Sequence, residues 1–69
     1  METAYENLNN EILKRGIKKT AIAASVGIST NTLRNRIAGK QSFNLREACT
    51  IRDTFFPDQT LEYLFERKP

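Results

Sequence analysis

The segment that decides the predicted fold is Ile22-Ala23-Ala24-Ser25-Val26-Gly27-Ile28-Ser29-Thr30-Asn31-Thr32-Leu33. Its pattern predicts two short helices joined by a glycine turn. Ala23 is small enough for two helix backbones to approach closely, and Gly27 tolerates the positive φ of a tight turn. Apolar side chains that would seal the angle between the helices are Ile22, Val26, Ile28, Leu33 and Ile37. The same spacing also fits an αα-hairpin without any function.

The charge around this segment favours a function. Between Glu11 and Glu47 the chain has no acidic residue, although its net charge is only +3. The same stretch contains eight basic residues: Lys14, Arg15, Lys18, Lys19, Arg34, Arg36, Lys40 and Arg46. Nucleic-acid phosphate is the commonest partner for positive charge concentrated in this way. We therefore expect a DNA-binding surface.

Apolar periodicity predicts an all-α fold of five helices in one domain that spans residues 1–69. The expected helices cover about 3–15, 18–26, 30–37, 45–55 and 58–65. Thr3 and Asn44 have the spacing of capping boxes with Glu6 and Glu47, and Ser29 is a good N-cap. Lysines stand where the second helix would need such a cap.

The expected core comes from two helical stripes. In the first helix Tyr5, Leu8 and Ile12 face inward, with Leu13 beside them. In the fourth helix we expect an inward side made of Leu45, Ala48, Cys49, Arg52 and Phe56. Ile51 and Phe55 add a second apolar flank.

Composition argues against several classes of protein. The chain has no histidine and one cysteine, Cys49, so the sequence provides neither a disulfide nor a cysteine zinc cluster. It also lacks a glycine-rich phosphate loop and any carboxylate in its central half, so we expect no enzyme activity, no cofactor and no small-molecule ligand. No apolar run approaches the ~20 residues that cross a membrane. The start of the chain has no signal-peptide pattern, which predicts a cytoplasmic protein without a membrane partner.

The third helix has an unusual outer face. At about 100° per residue, Leu33 and Ile37 share the core direction and Asn35 lies opposite, near Asn31 and Thr32. Arg34 and Arg36 flank the core direction. Such a face of amides, hydroxyls and guanidinium groups, with no acid, suits base edges and phosphates.

The stretch from Lys19 to Gly39 resembles the Cro/C1-type helix-turn-helix of phage and bacterial repressors, which have the lambda-repressor-like fold. The matching pattern is apolar-Ala-x-x-Val-Gly-Ile-Ser at residues 22–29, then Thr30-Asn31-Thr32-Leu33, then Gly39-Lys40. The ending, Phe56-Pro57-Asp58 with residues 61–65, extends the similarity over nearly the whole chain. The motif itself covers about residues 18–38.

This resemblance implies a transcriptional regulator, a Cro-like repressor, that places its third helix in the major groove of a double-stranded DNA operator. The residues that it assigns to base readout are Thr30, Asn31, Arg34 and Asn35. Those that it assigns to phosphate are Lys18, Lys19, Ser29, Arg36, Lys40, Gln41 and Ser42. Members of the family usually have an apolar or aromatic residue at the position of Arg36. Either its guanidinium reaches DNA or the end of the third helix packs differently here.

The C-terminal third is rich in large apolar groups, among which Tyr63 and Phe65 are candidates for a contact in a homodimer. The alternative is that all of them belong to the core. An alternative function is a protein-interaction module, antirepressor-like or antitoxin-like, that reuses the fold.

Overall fold

Five α-helices and no strand make up the regular structure of residues 4–67, which is the part of the chain that this computed structural model describes. The helices are α1 (Glu6–Arg15), α2 (Lys19–Val26), α3 (Thr30–Ala38), α4 (Leu45–Phe55) and α5 (Leu61–Leu64). The all-α prediction is confirmed over this range. Within it, no helix combines the length and the apolar character that crossing a bilayer would need.

Local chemistry sets most helix ends. The Ser29 hydroxyl accepts a hydrogen bond from the Thr32 N–H at 3.1 Å. Asn44 and Glu47 form the predicted capping box, each side chain accepting from the other's N–H at 2.8 and 3.1 Å. Lys18 precedes α2 without a side-chain cap, as expected. Each side-chain cap satisfies an amide that a helix leaves without an intrahelical partner.

The turn between α2 and α3 depends on Gly27, which has a left-handed φ of 73°. Glycine adopts this conformation without the strain of a Cβ atom. The Gly27 N–H donates to the Ala24 carbonyl, and the Ile28 N–H donates to the Ala23 carbonyl. These bonds close the end of α2, so that only residues 27–29 separate the two helices.

Two helices differ from their predicted bounds by more than one residue. The first begins at Glu6 instead of residue 3, because the Tyr5 N–H donates to the Ile37 carbonyl and the Tyr5 ring is buried. The proposed cap Thr3 lies outside the described residues. The last helix is only Leu61–Leu64, since Thr60 caps it through the Tyr63 N–H.

The helices pack around one core. Helix α2 packs against α3 and α4, α5 against α1 and α4, and α1 against α3. The side chains that lose all contact with solvent are Leu8, Ile22, Leu33, Ile51, Phe56 and Leu64. Leu33 and Ile37 are both buried, so α3 turns its apolar side inward as predicted.

Some core predictions were wrong. Leu45 and Leu13 are 73% and 68% exposed. In α4 the buried residues are Ala48 and Ile51, whereas Cys49 is half-buried. At about 100° per residue the core direction lies between those two buried residues, which turns Leu45 about 90° away from it.

Candidate functional site

The outer face of α3 carries the side chains that were predicted to read bases. Asn31 and Arg34 are exposed, and Thr30 and Asn35 are half-buried. Asn31 lies three and four residues before Arg34 and Asn35, so the three side chains share one face of the helix. Within residues 4–67 none of them makes a hydrogen bond or an ion pair. Their donors and acceptors are therefore available to a ligand.

Six of the eight cations in the acid-free stretch make no ion pair with any residue in the range 4–67. They are Lys14, Lys18, Lys19, Arg34, Lys40 and Arg46. Lys18 and Lys19 stand at the start of α2, and Lys40 directly follows the glycine that ends α3. The positive charge at both ends of the α2–α3 segment is thus not neutralised within this part of the chain.

Arg36 does not belong to this free set. Its Nη1 donates to Glu47 Oε1, and the two side chains are only 17% and 13% exposed. Because Glu47 of α4 holds the Arg36 guanidinium, the structure disfavours the predicted contact of Arg36 with phosphate. Burial alone would raise the pKa of Glu47, but hydrogen bonds from Arg36 and from the Asn44 N–H, together with the Arg36 charge, lower it overall.

Arg15 is also neutralised. Its guanidinium binds both carboxylate oxygens of Asp58, at 2.8 and 2.7 Å, and its Nε donates to Glu11 at 3.1 Å. The hydrogen bond from Arg15 lowers the pKa of Asp58. Glu11, which is 4% exposed, also accepts from the Tyr63 hydroxyl at 3.1 Å, and this bond raises the pKa of Tyr63. The cluster joins α1 to the C-terminal segment.

Ser29 was predicted both to cap α3 and to contact phosphate. Its hydroxyl accepts from the Thr32 N–H and donates to Thr32 Oγ1 at 2.9 Å. The cap is confirmed. A phosphate contact would require the Ser29 proton to turn away from Thr32, because a hydroxyl has a single donor.

The loop after α3 presents several donors. Lys40, Gln41 and Ser42 are exposed. Among residues 4–67 no acceptor is bound by the backbone N–H groups of residues 41, 42 and 43. The Ser42 hydroxyl accepts from Arg67 Nη1 at 3.2 Å, and Arg67 Nη2 donates to the Gly39 carbonyl at 2.5 Å. Arg67 was missed in the sequence, where it lies in a short polar ending that carries no motif.

The candidate dimer residues lie in different surroundings. The Phe65 ring packs edge-on against Phe43 and Tyr5, with ring centroids 5.2 and 6.2 Å apart. It also lines an open apolar groove of about 320 Å³, together with Tyr5, Phe43, Asn44, Leu45, Ala48 and Leu61. Tyr63 is 38% exposed and is not among the groove residues.

In the described part of the chain, no three His, Cys, Asp or Glu side chains lie together as metal ligands would. Comparison of the chain with protein-family models, with curated proteins and with solved structures found no match.

Proposed function

We propose that this protein binds double-stranded DNA in a sequence-specific manner and regulates transcription as a Cro-like repressor, by occupying an operator. The observation that carries the proposal is the outer face of α3, where the side chains of Asn31, Arg34 and Asn35 have no partner among residues 4–67. A solvated helix face usually mixes acids with bases, but this one has no acid. In the proposal α2 and α3 form a Cro/C1-type helix-turn-helix, and α3 enters the major groove.

Each side chain has a role that follows from its chemistry. Asn31 and Asn35 form paired hydrogen bonds with adenine, whereas Arg34 binds a guanine edge or a phosphate. Thr30, at the start of α3, bonds a base or packs its methyl group on thymine.

The contacts to the DNA backbone come from both sides of α3. Lys18 and Lys19 lie at the start of α2, where no side chain caps the helix and the helix dipole also favours a phosphate. Lys40, Gln41 and Ser42 bind a second stretch of backbone through side chains and free N–H groups.

The test begins with selection of a binding site from short duplexes of random sequence. Fluorescence anisotropy then compares wild type, Asn31→Ala and the control Asn10→Ala, which removes an exposed asparagine from α1. Asn31→Ala should weaken binding to the selected duplex by ~1–3 kcal/mol and binding to a scrambled duplex very little. Asn10→Ala should change neither.

Salt dependence checks the backbone contacts. The logarithm of the wild-type affinity should fall against the logarithm of salt concentration with a slope of about 0.9 per phosphate contacted.

Equal losses on both duplexes with Asn31→Ala would remove this residue from base readout. A wild-type protein without duplex affinity in dilute buffer would refute the function.

Dimerisation belongs to the same proposal. The groove that Phe65 lines is apolar, and Leu45 at its edge is 73% exposed, so a second copy of the chain would cover both. Sedimentation equilibrium with and without the selected duplex tests this. Leu45→Glu should shift a dimer toward monomer while its circular dichroism stays unchanged.

The exposed apolar groove also favours the second candidate, a protein-interaction module. This function would be indicated by a partner that wild type retains from nuclease-treated lysate and that Leu45→Glu does not. Wild type would also show no affinity for duplex DNA at low salt.

A further inference from the structure

We propose that Arg67, which follows α5, contacts a DNA phosphate and forms one anion site with the loop of residues 40–43. The inference deepens the proposed function and rests on it. It adds to the basic surface a residue that is distant in sequence from the acid-free stretch, lying 28 positions from Gly39 and 25 from Ser42.

Contacts on three sides determine where the Arg67 guanidinium lies. Nη2 donates to the Gly39 carbonyl at 2.5 Å, and Nη1 donates to Ser42 Oγ at 3.2 Å. The guanidinium carbon lies over the face of the Tyr5 ring, 5.6 Å from its centroid. Tyr5 is itself buried. The charge is therefore held at the end of α3 by the folded protein, and ordering it costs little when a ligand binds.

The site keeps enough free donors for an anion. A guanidinium has five N–H donors, and these two contacts leave the others available. The Ser42 oxygen is the acceptor in its bond with Arg67, so its proton remains free to be donated. The N–H groups of residues 41–43 have no acceptor within residues 4–67. Hydroxyl, amide and guanidinium donors together match the oxygens of a phosphate.

The local charge is positive. Lys40 lies in the same loop, and neither Lys40 nor Arg67 makes an ion pair within the described range.

The experiment uses the full chain and three variants. Arg67→Met removes the charge but keeps an apolar stem beside Tyr5, and Arg67→Lys keeps the charge but loses the forked donors. Arg52→Met is the matched control, since it removes a cation of α4 that is already paired with Asp53. Binding to the duplex selected by wild type, and to a scrambled duplex, is measured over a series of salt concentrations.

Arg67→Met should reduce the salt slope by about 0.9 and weaken binding to both duplexes alike, because phosphate contacts carry no sequence information. Arg67→Lys should keep the wild-type slope, and Arg52→Met should keep both slope and affinity. An unchanged slope with Arg67→Met would overturn the inference while leaving the proposed function intact.

A second measurement does not depend on DNA. In a titration of the free protein with inorganic phosphate, followed by NMR, the amide signals of residues 41–43 should move in wild type and much less in Arg67→Met. Signals that move equally in both proteins would refute the site. A wild type that binds phosphate at this loop but no duplex would refute the proposed function and the DNA contact of Arg67, and would leave only the anion site.

Discussion

Replacement of Arg36 by methionine tests the ion pair between α3 and α4. A hydrogen bond to a charged group contributes ~1.5–3 kcal/mol. The loss here is smaller, because both side chains keep some exposure and because the buried Arg36 Nε, which has no partner in the described part of the chain, disappears as well. We expect Arg36→Met to lower the free energy of unfolding by about 1–2 kcal/mol, and the melting temperature by about 5–15 °C in a domain of this size.

A double-mutant cycle isolates the pair. Glu47→Gln removes the charge but keeps an oxygen that accepts from the Asn44 N–H, so the capping box survives. If the two side chains interact as the structure indicates, the double variant Arg36→Met/Glu47→Gln loses less stability than the two single losses added together. The sum of the two single losses should exceed the loss of the double variant by ~1 kcal/mol or more, measured by thermal and urea denaturation.

The pH dependence gives an independent check. Burial opposes the charge of Glu47, but Arg36 and the Asn44 N–H lower its folded pKa below the ordinary 4.5. A lowered folded pKa stabilises the protein above the ordinary value, and this contribution is lost as the pH falls through the folded pKa. The difference in unfolding free energy between wild type and Arg36→Met should thus be largest at neutral pH and should disappear in acid. A gap that stays constant into acid, or additive losses in the cycle, would refute the reasoning.

Two other substitutions test single contacts. Gly39→Ala should lower the melting temperature more than Gly16→Ala. Both positions have positive φ, but only at Gly39 would the new Cβ lie 2.7 Å from the Ala4 Cβ. A smaller loss for Gly39→Ala would contradict this packing. Asp58→Asn should flatten the acid side of the stability profile. The Arg15 hydrogen bond lowers the folded pKa of Asp58, so wild type loses this contribution as the pH falls below the ordinary 3.8. Melting curves from neutral to acid pH measure the difference, and parallel profiles would be inconsistent with the Arg15–Asp58 pair.

The sequence predicted much of the fold because the relevant forces act between near neighbours. Ser29 and Asn44 cap helices through N–H groups three residues away, and Gly27 ends α2 through its own φ. The four-residue spacing of Leu33 and Ile37 was enough to orient α3, and with it the outer face of Asn31 and Asn35.

Other features required the packing of distant segments. The start of α1 depends on the Tyr5 N–H reaching the Ile37 carbonyl, and the exposure of Leu45 depends on which side of α4 the neighbouring helices cover. No local pattern could indicate that Arg36 turns toward Glu47 or that Arg67 reaches Gly39.

By itself, the sequence determined the presence of five helices, the caps of α3 and α4, the polar face of α3 and the acid-free basic stretch. The tertiary structure decided which of those cations remain free and which distant residue joins them. The physical reason is that helix formation and helical periodicity depend on residues within about one turn of each other. A charge is neutralised or left free only when the fold has brought its partners together in space.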